Sequence, residues 1–167
     1  MAFFLISLSL IAILVSGNYT NSVIHGDFPD PGVFFDPQTR LFYAASTSGD
    51  AADHFPIHSS PNAVDWSPVG YIFPANATPA WTQSDYWAPE IHLVNDQYVA
   101  VFVARNKKGK LSVGLAVSNS SVLGPYTDLG HELITASNMG YIDPHIFVDT
   151  DTTPYIIFKA DANDPAN

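Results

Sequence analysis

Three segments of the sequence repeat one pattern, and this repeat limits the possible folds more than any other feature. Each segment begins with a proline that follows Asp or Ala, namely Pro31, Pro89 and Pro144, and these prolines are 58 and 55 residues apart. After each proline come an apolar run, a short polar turn and a second run dense in aromatic and β-branched residues. This pattern predicts pairs of antiparallel strands joined by tight turns.

Shorter strand-like stretches lie between the three segments, at residues 57–73 and 110–134. Each period of the repeat therefore holds about four strands, and no window shows the periodicity of an amphipathic helix. A four-stranded unit that recurs about every 50 to 60 residues is typical of a β-propeller blade. We predict an all-β chain of propeller blades, with a meander or a sandwich as the alternative.

The first 17 residues are predicted to be a signal peptide. Residues 3–15 are apolar apart from two serines. This run is too short to span a membrane comfortably and has the right length for the hydrophobic part of a signal peptide. A buried strand or an uncleaved anchor is the alternative.

The remaining chain, residues 18–167, is predicted to be a secreted glycoprotein. Sequons at Asn18, Asn76 and Asn119 agree with passage through a eukaryotic secretory route. The chain contains no cysteine, which excludes disulfide bonds and thiolate zinc sites. Its stability must therefore come from a packed core, which favours a regular sheet-rich architecture.

The charge of the chain narrows the choice of partner. Six Lys and Arg residues stand against 16 Asp and Glu residues, which gives a net charge of −10. This sign opposes binding to nucleic acid or to an anionic membrane surface and favours a neutral partner. The six histidines show no His-Glu-x-x-His spacing, so we predict no catalytic zinc ion.

Two aspartates stand at equivalent points of the repeat. Asp30 and Asp143 each precede a proline and open an apolar run. Because the inner strands of propeller blades lie along one axis, we expect both carboxyl groups to face a central pocket. Such a pair can perform acid–base hydrolysis. Turn initiation is the alternative for any Asp-Pro pair, and we prefer it for Asp36 and Asp164.

Other residues are candidates for the same pocket. Trp87 precedes the inner strand of the second unit, where a flat aromatic face would suit a sugar ring; packing between blades is the alternative. His145 is expected to line the pocket or to be a core histidine. Glu90 is expected near the axis, as a pocket-lining or structural acid, and Glu132 is interpreted as a solvated surface acid.

The motifs resemble those of glycoside hydrolase family 43. The likeness is carried by stretches at residues 26–33 (GDFPDPGV), 87–91 (WAPEI), 114–126, 142–149 (IDPHIFVD) and 158–163. The resemblance implies a five-bladed β-propeller that hydrolyses arabinose- or xylose-containing plant polysaccharides with inversion of configuration. It implies a neutral oligo- or polysaccharide as partner and no required cofactor, although a structural calcium ion is possible.

The resemblance also implies roles for the site residues. Asp30 matches the general base of the family, and Asp143 matches the aspartate that tunes the pKa of the general acid. Four residues are assigned to substrate binding, namely Phe28, Trp87, Glu90 and His145.

The proton donor of the family has no counterpart in this sequence. In the family it is a glutamate about 50 residues beyond the third-blade motif, whereas Glu90 and Glu132 are the only glutamates of the chain. At about 57 residues per blade, the chain holds about two and a half blades, so we expect a truncated sequence. A catalytically inactive, carbohydrate-binding or decayed fragment is the alternative function.

Overall fold

The computed structural model describes residues 20–163, so the predicted signal peptide and Asp164 lie outside the described residues. Ten strands form three antiparallel sheets within this part of the chain. The first sheet contains β1 (Gly32–Asp36), β2 (Leu41–Ala45), β3 (His54–Ser60) and β4 (Ser67–Phe73); the second contains β5 (Thr82–Val94), β6 (Gln97–Asn106), β7 (Leu111–Ser118) and β8 (Thr127–Asp128); the third contains β9 (Gly140–Val148) and β10 (Pro154–Asp161).

The sheets confirm the all-β prediction and the division into repeated units. Strands that follow one another in sequence are hydrogen-bonded neighbours in every sheet, which is the meander expected of a propeller blade. The only helical segment among the described residues is a 3₁₀ turn at Ala75–Ala77. None of residues 20–163 belongs to a helix that is long and apolar enough to cross a membrane.

Strand β6 lies at the centre of the structure and is buried on both faces. Its residues Ala100 and Phe102 belong to the core shared with the first sheet, whereas Val99 and Val101 pack with Ile146 of β9. Because side chains alternate between the faces of a strand, this apolar run fills the spaces on both sides of the second sheet. The second sheet is therefore packed between the first and the third.

Aromatic rings fill the space between the first and second sheets. The Phe102 ring lies 5.3 Å from that of Phe55 and 5.2 Å from that of Phe73, and it stacks on Trp81 at 6.0 Å. A Cβ atom at Gly114 would collide with the rings of Phe102 and Trp81, so glycine is required at this position. These aromatic side chains thus serve packing between the two sheets.

A buried polar contact also joins these two sheets. The Asp36 carboxylate accepts hydrogen bonds from the backbone amides of Gln38 and Thr39 and from the Thr39 hydroxyl, as expected for a turn-initiating aspartate. It also accepts a hydrogen bond from the Tyr98 hydroxyl of β6 at 3.1 Å. Burial opposes ionisation of Asp36, but these hydrogen bonds outweigh it and lower its pKa. Burial, with the Asp36 contact, raises the pKa of Tyr98 to about 12.

Replacement of Tyr98 by Phe is expected to lower the free energy of unfolding by about 1.5 to 3 kcal/mol at neutral pH, because a buried hydrogen bond to a charged group is lost. The folded pKa of Asp36 lies below its ordinary value of 3.8. Its stabilising contribution is therefore present above pH 3.8 and is lost as the pH falls through the folded pKa. Urea unfolding should show that the difference in free energy of unfolding between the wild-type chain and Y98F becomes smaller in that acid range. A difference that does not change with pH would contradict a role for the Asp36 carboxylate.

Candidate active site

Three corners of the backbone share an unusual conformation. Asp30, Ala88 and Asp143 each precede the proline of one repeated segment, and their φ angles are 49°, 43° and 55°. Residues with a side chain rarely adopt this left-handed region, and a following proline restricts the backbone further. Each such corner costs on the order of 1 to 3 kcal/mol and persists only where the surrounding structure imposes it. The three corners are therefore equivalent in structure as well as in sequence.

The three corners meet in one cleft with a volume of about 200 Å³. Its lining residues are Asp30, Pro31, Gly32, Ala88, Pro89, Glu90, Asp143 and Pro144. Asp30 and Asp143 are 113 residues apart in sequence and exposed to solvent, whereas Pro89 and Pro144 behind them are buried. The structure thus places two exposed carboxyl groups on a rigid proline frame.

The Asp30 carboxylate is oriented by a threonine that the sequence analysis missed. The Thr47 hydroxyl donates a hydrogen bond to Asp30 Oδ2 at 2.8 Å and accepts one from the Ala88 amide at 2.8 Å. The Thr47 amide in turn donates to the Pro29 carbonyl. Thr47 belongs to no motif, and its one sequence signal is that it follows the second strand of its unit, where the chain returns to the axis.

Asp143 has a looser environment. Lys159 Nζ lies 3.5 Å from Asp143 Oδ2, and both side chains are more than half exposed. An ion pair of this kind contributes little to stability because solvent screens it. The Asp143 carboxylate therefore stays accessible from the cleft.

Two histidines hold the third carboxyl group of the cleft. His92 Nε2 and His145 Nδ1 each lie 2.8 Å from Glu90 Oε2. Glu90 and His92 are two residues apart on β5, so their side chains share one face of the strand, and His145 comes from the neighbouring β9. Burial would raise the pKa of Glu90, but the two hydrogen bonds and the histidine charges lower it. Glu90 is therefore held as a carboxylate.

The family model of glycosyl hydrolases family 43 matches residues 19–167 of the sequence. The chain belongs to this family. Xylosidase/arabinosidase 43A of Humicola insolens is 37% identical over 78 residues, which are 47% of this chain and 23% of that protein.

Solved structures share the fold. A thermostable family-43 glycoside hydrolase matches with a TM-score of 0.73 and 32% identity, covering 84% of this chain and 44% of that one. The endo-arabinase from Bacteroides thetaiotaomicron VPI-5482 matches with a TM-score of 0.71 and 25% identity, covering 85% and 48%. The propeller prediction is confirmed, and the chain spans less than half the length of these relatives.

Not every residue predicted for the family 43 site lines the cleft. Asp30, Asp143 and Glu90 do. His145 contacts Glu90 from outside the lining. The two predicted aromatic contacts, Phe28 and Trp87, are absent from the lining.

Phe28 packs edge-on against His58 with ring centroids 4.6 Å apart, and it lines a separate hollow of about 320 Å³. Trp87 is partly buried on β5, between two register shifts of that strand. The shifts on either side change the direction in which its side chain leaves the sheet. Both rings are thus outside the lining of the cleft.

Glu132 differs from the prediction of a solvated surface acid. It is only partly exposed, and its Oε1 accepts a hydrogen bond from the buried Asn106 side chain at 2.8 Å. Buried amide donors are almost always hydrogen-bonded, and the Glu132 carboxylate serves as an acceptor for this one. Glu132 is therefore a structural acid of the second blade.

The possibility of calcium in a family 43 chain can be tested against the ligands present. Among residues 20–163, one group of three potential metal ligands converges, formed by Glu90, His92 and His145. Calcium binds six to eight oxygen atoms, whereas two of these three ligands are imidazole nitrogens. The group does not fit calcium, and we assign no calcium ion to it.

The cleft depends on a close approach between β1 and β5. A Cβ atom at Gly32 would lie 2.5 Å from the Pro89 carbonyl oxygen and 2.8 Å from Cγ of Glu90. Only glycine permits this separation without movement of the backbone. The glycine that follows the first Asp-Pro pair is therefore part of the frame that brings Asp30 and Glu90 together.

Replacement of Gly32 by Ala is expected to force β1 and β5 apart and to lower the free energy of unfolding by about 1 to 3 kcal/mol. Thermal unfolding followed by circular dichroism would measure the loss. Val33→Ala is a matched control, because Val33 is the next residue of β1 and its side chain is 58% exposed. Equal melting temperatures for G32A and the wild-type chain would show that the approach is not tight.

Proposed function

We propose that the protein containing this chain is an inverting glycoside hydrolase that acts on arabinose- or xylose-containing polysaccharides. The convergence of Asp30 and Asp143 in one cleft carries this proposal. Membership in family 43 and the names of its relatives, a xylosidase/arabinosidase and an endo-arabinase, support the class of substrate. A neutral sugar polymer also agrees with the net charge of −10.

Asp30 is proposed to act as the general base. Its carboxylate takes a proton from the water that attacks the anomeric carbon, on the face opposite to the leaving group. The Thr47 hydroxyl donates a hydrogen bond to Oδ2 of Asp30. No described residue donates a hydrogen bond to Oδ1 of Asp30. One carboxylate oxygen is therefore fixed while the other is available to the attacking water.

Asp143 is proposed to tune the general acid. A negative charge beside an acidic group disfavours loss of its proton, so it raises the pKa of that group. The exposed position of Asp143 at the third corner allows it to face a proton donor on the far side of the cleft. Its weak contact with Lys159 leaves most of this negative charge effective.

Neither glutamate of the sequence is suited to donate the proton. The pKa of Glu90 is lowered by its histidine contacts, whereas a general acid needs a raised pKa. Glu132 is engaged with Asn106 on the second blade and does not line the cleft. We infer that these 167 residues do not supply the general acid. The alternative function, carbohydrate binding without hydrolysis, is therefore favoured for this chain by itself.

The remaining predicted contacts are proposed to bind substrate beyond the cleft. Phe28 and Trp87 offer ring faces to sugar C–H groups. Glu90 offers its second oxygen, Oε1, to a sugar hydroxyl, and His145 borders Glu90. The predicted signal peptide at residues 1–17 would bring the protein to such polysaccharides outside the cell, so we also propose secretion.

Two sequons within the described residues lie at exposed positions. Asn76 lies on the exposed 3₁₀ turn between the first and second sheets, and Asn119 is exposed directly after β7. Neither asparagine lines the cleft. These positions support our proposal that the protein is a glycoprotein of the secretory route.

Replacement of Asp30 by Asn in the whole enzyme is expected to lower kcat by about 100- to 10,000-fold, because the attacking water loses its base. Release of reducing sugar from arabinan and arabinoxylan would measure the loss. Asp65→Asn is the matched control, since Asp65 lies on an outer turn where it contacts Asn62. Unchanged kcat in D30N would refute the base assignment. Proton NMR of the first anomer released would test inversion independently.

The 167-residue chain expressed alone is expected to release no reducing sugar from either polysaccharide, because it lacks a suitable proton donor. The measurement should use concentrated protein and long incubation, with a family 43 enzyme as a positive control. Clear turnover by the chain would contradict the inference that neither glutamate donates the proton. The variants E90Q and E132Q would then show which glutamate provides the proton.

A further inference from the structure

We propose that Glu90, His92 and His145 form a binding site for a divalent transition-metal cation such as Zn²⁺, which joins the inner strands of the second and third blades. The inference does not depend on hydrolysis, and it concerns a group of ligands that the local spacing of histidines in the sequence did not predict.

The geometry of the three side chains favours a shared ligand. One potential ligand atom from each residue lies within 4.8 Å of the other two. Two of the atoms come from β5 and the third from β9, so they reach the site from different sheets. The His92 and His145 rings are nearly perpendicular, at 79°, with centroids 5.5 Å apart. Two nitrogens and one carboxylate oxygen therefore converge from separate directions.

The chemistry of the ligands selects the class of cation. Two imidazoles and one carboxylate are the protein ligands of many catalytic zinc sites, where a fourth position is left to water. Imidazole nitrogens also suit cobalt, nickel and copper, whereas calcium and magnesium prefer oxygen ligands. The site should therefore discriminate strongly against calcium.

Solvent and dissolved cations can reach the three side chains. The side chains of Glu90 and His92 are about a quarter exposed and that of His145 is half exposed, so solvent reaches the group. Within residues 20–163, no partner holds Nδ1 of His92 or Nε2 of His145. Each neutral ring can therefore move its proton to that nitrogen and turn its lone pair to the metal. The net negative charge of the chain further attracts cations.

A bound cation would act as a clamp between blades. The boundary between these blades contains the Glu90 contact with His145 and an apolar cluster that includes Val99, Val101 and Ile146. A ligand that binds only the folded state shifts unfolding to higher temperature. The clamp would lie next to the carboxyl groups of the cleft and fix Glu90 at its wall.

The test is titration of the untagged, chelator-treated chain with Co²⁺, whose visible absorption reports nitrogen coordination. We expect one Co²⁺ per chain, displacement by Zn²⁺ and none by millimolar Ca²⁺, and a higher melting temperature with Zn²⁺. His145→Ala and His92→Ala should each raise the Kd for Co²⁺ by at least about tenfold. His131→Ala is the matched control, since His131 is exposed, its Nδ1 bonds the backbone carbonyl of Glu132, and it does not belong to the group.

His145 is the decisive position, because its exposed ring can be removed without loss of core packing. Circular dichroism would verify that the variant is folded. Absence of Co²⁺ absorption in the wild-type chain would overturn the proposal and leave the group as a hydrogen-bonded cluster. Equal affinities of H145A, H131A and the wild-type chain would overturn it too, as would displacement of Co²⁺ by Ca²⁺ at equal concentration.

Discussion

The structure depends on the close packing of inner strands at the corners that begin them. Gly32 of β1 lies so near Pro89 and Glu90 of β5 that a single added methyl group has no room. The left-handed conformation of Asp30 and Asp143 is costly for residues with a side chain, so it persists only because the surrounding structure imposes it. The strained residues that precede the inner strands and the tight packing between those strands therefore occur at the same place in the fold.

The environment of each carboxyl group in the cleft follows from this arrangement. Asp30 is held at one oxygen by Thr47, which returns from the second strand of its own blade. Asp143 stands on the third blade with a weak cationic neighbour. Glu90 lies between them in sequence, but its histidine contacts favour the ionised form. Three carboxyl groups that line one cleft therefore differ in the partners that hold them.

The repeat in the sequence was sufficient to predict the strands and the convergence of their starting points. Apolar runs on either side of a polar turn predict that two neighbouring strands pair. The equivalent positions of Pro31, Pro89 and Pro144 predict that the inner strands of the blades lie along one axis. Thr47 and His92 were missed because their roles arise from contacts between segments that carry no shared motif. Glu132 was misjudged for the same reason, since the demand of the buried Asn106 amide is a property of the folded sheet.

The aromatic residues show where sequence reasoning is weakest. A tryptophan beside a predicted pocket can face a sugar or fill a gap between blades, and hydrophobicity alone does not distinguish the two. Trp81 packs on Phe102 and directs its indole N–H to Asp128, whereas Trp87 sits where register shifts disturb the alternation of β5. Where the alternation fails, the direction of a side chain is decided by packing against the neighbouring strands. Irregular segments of the inner strands therefore determine which side chains a cleft at the propeller axis can use.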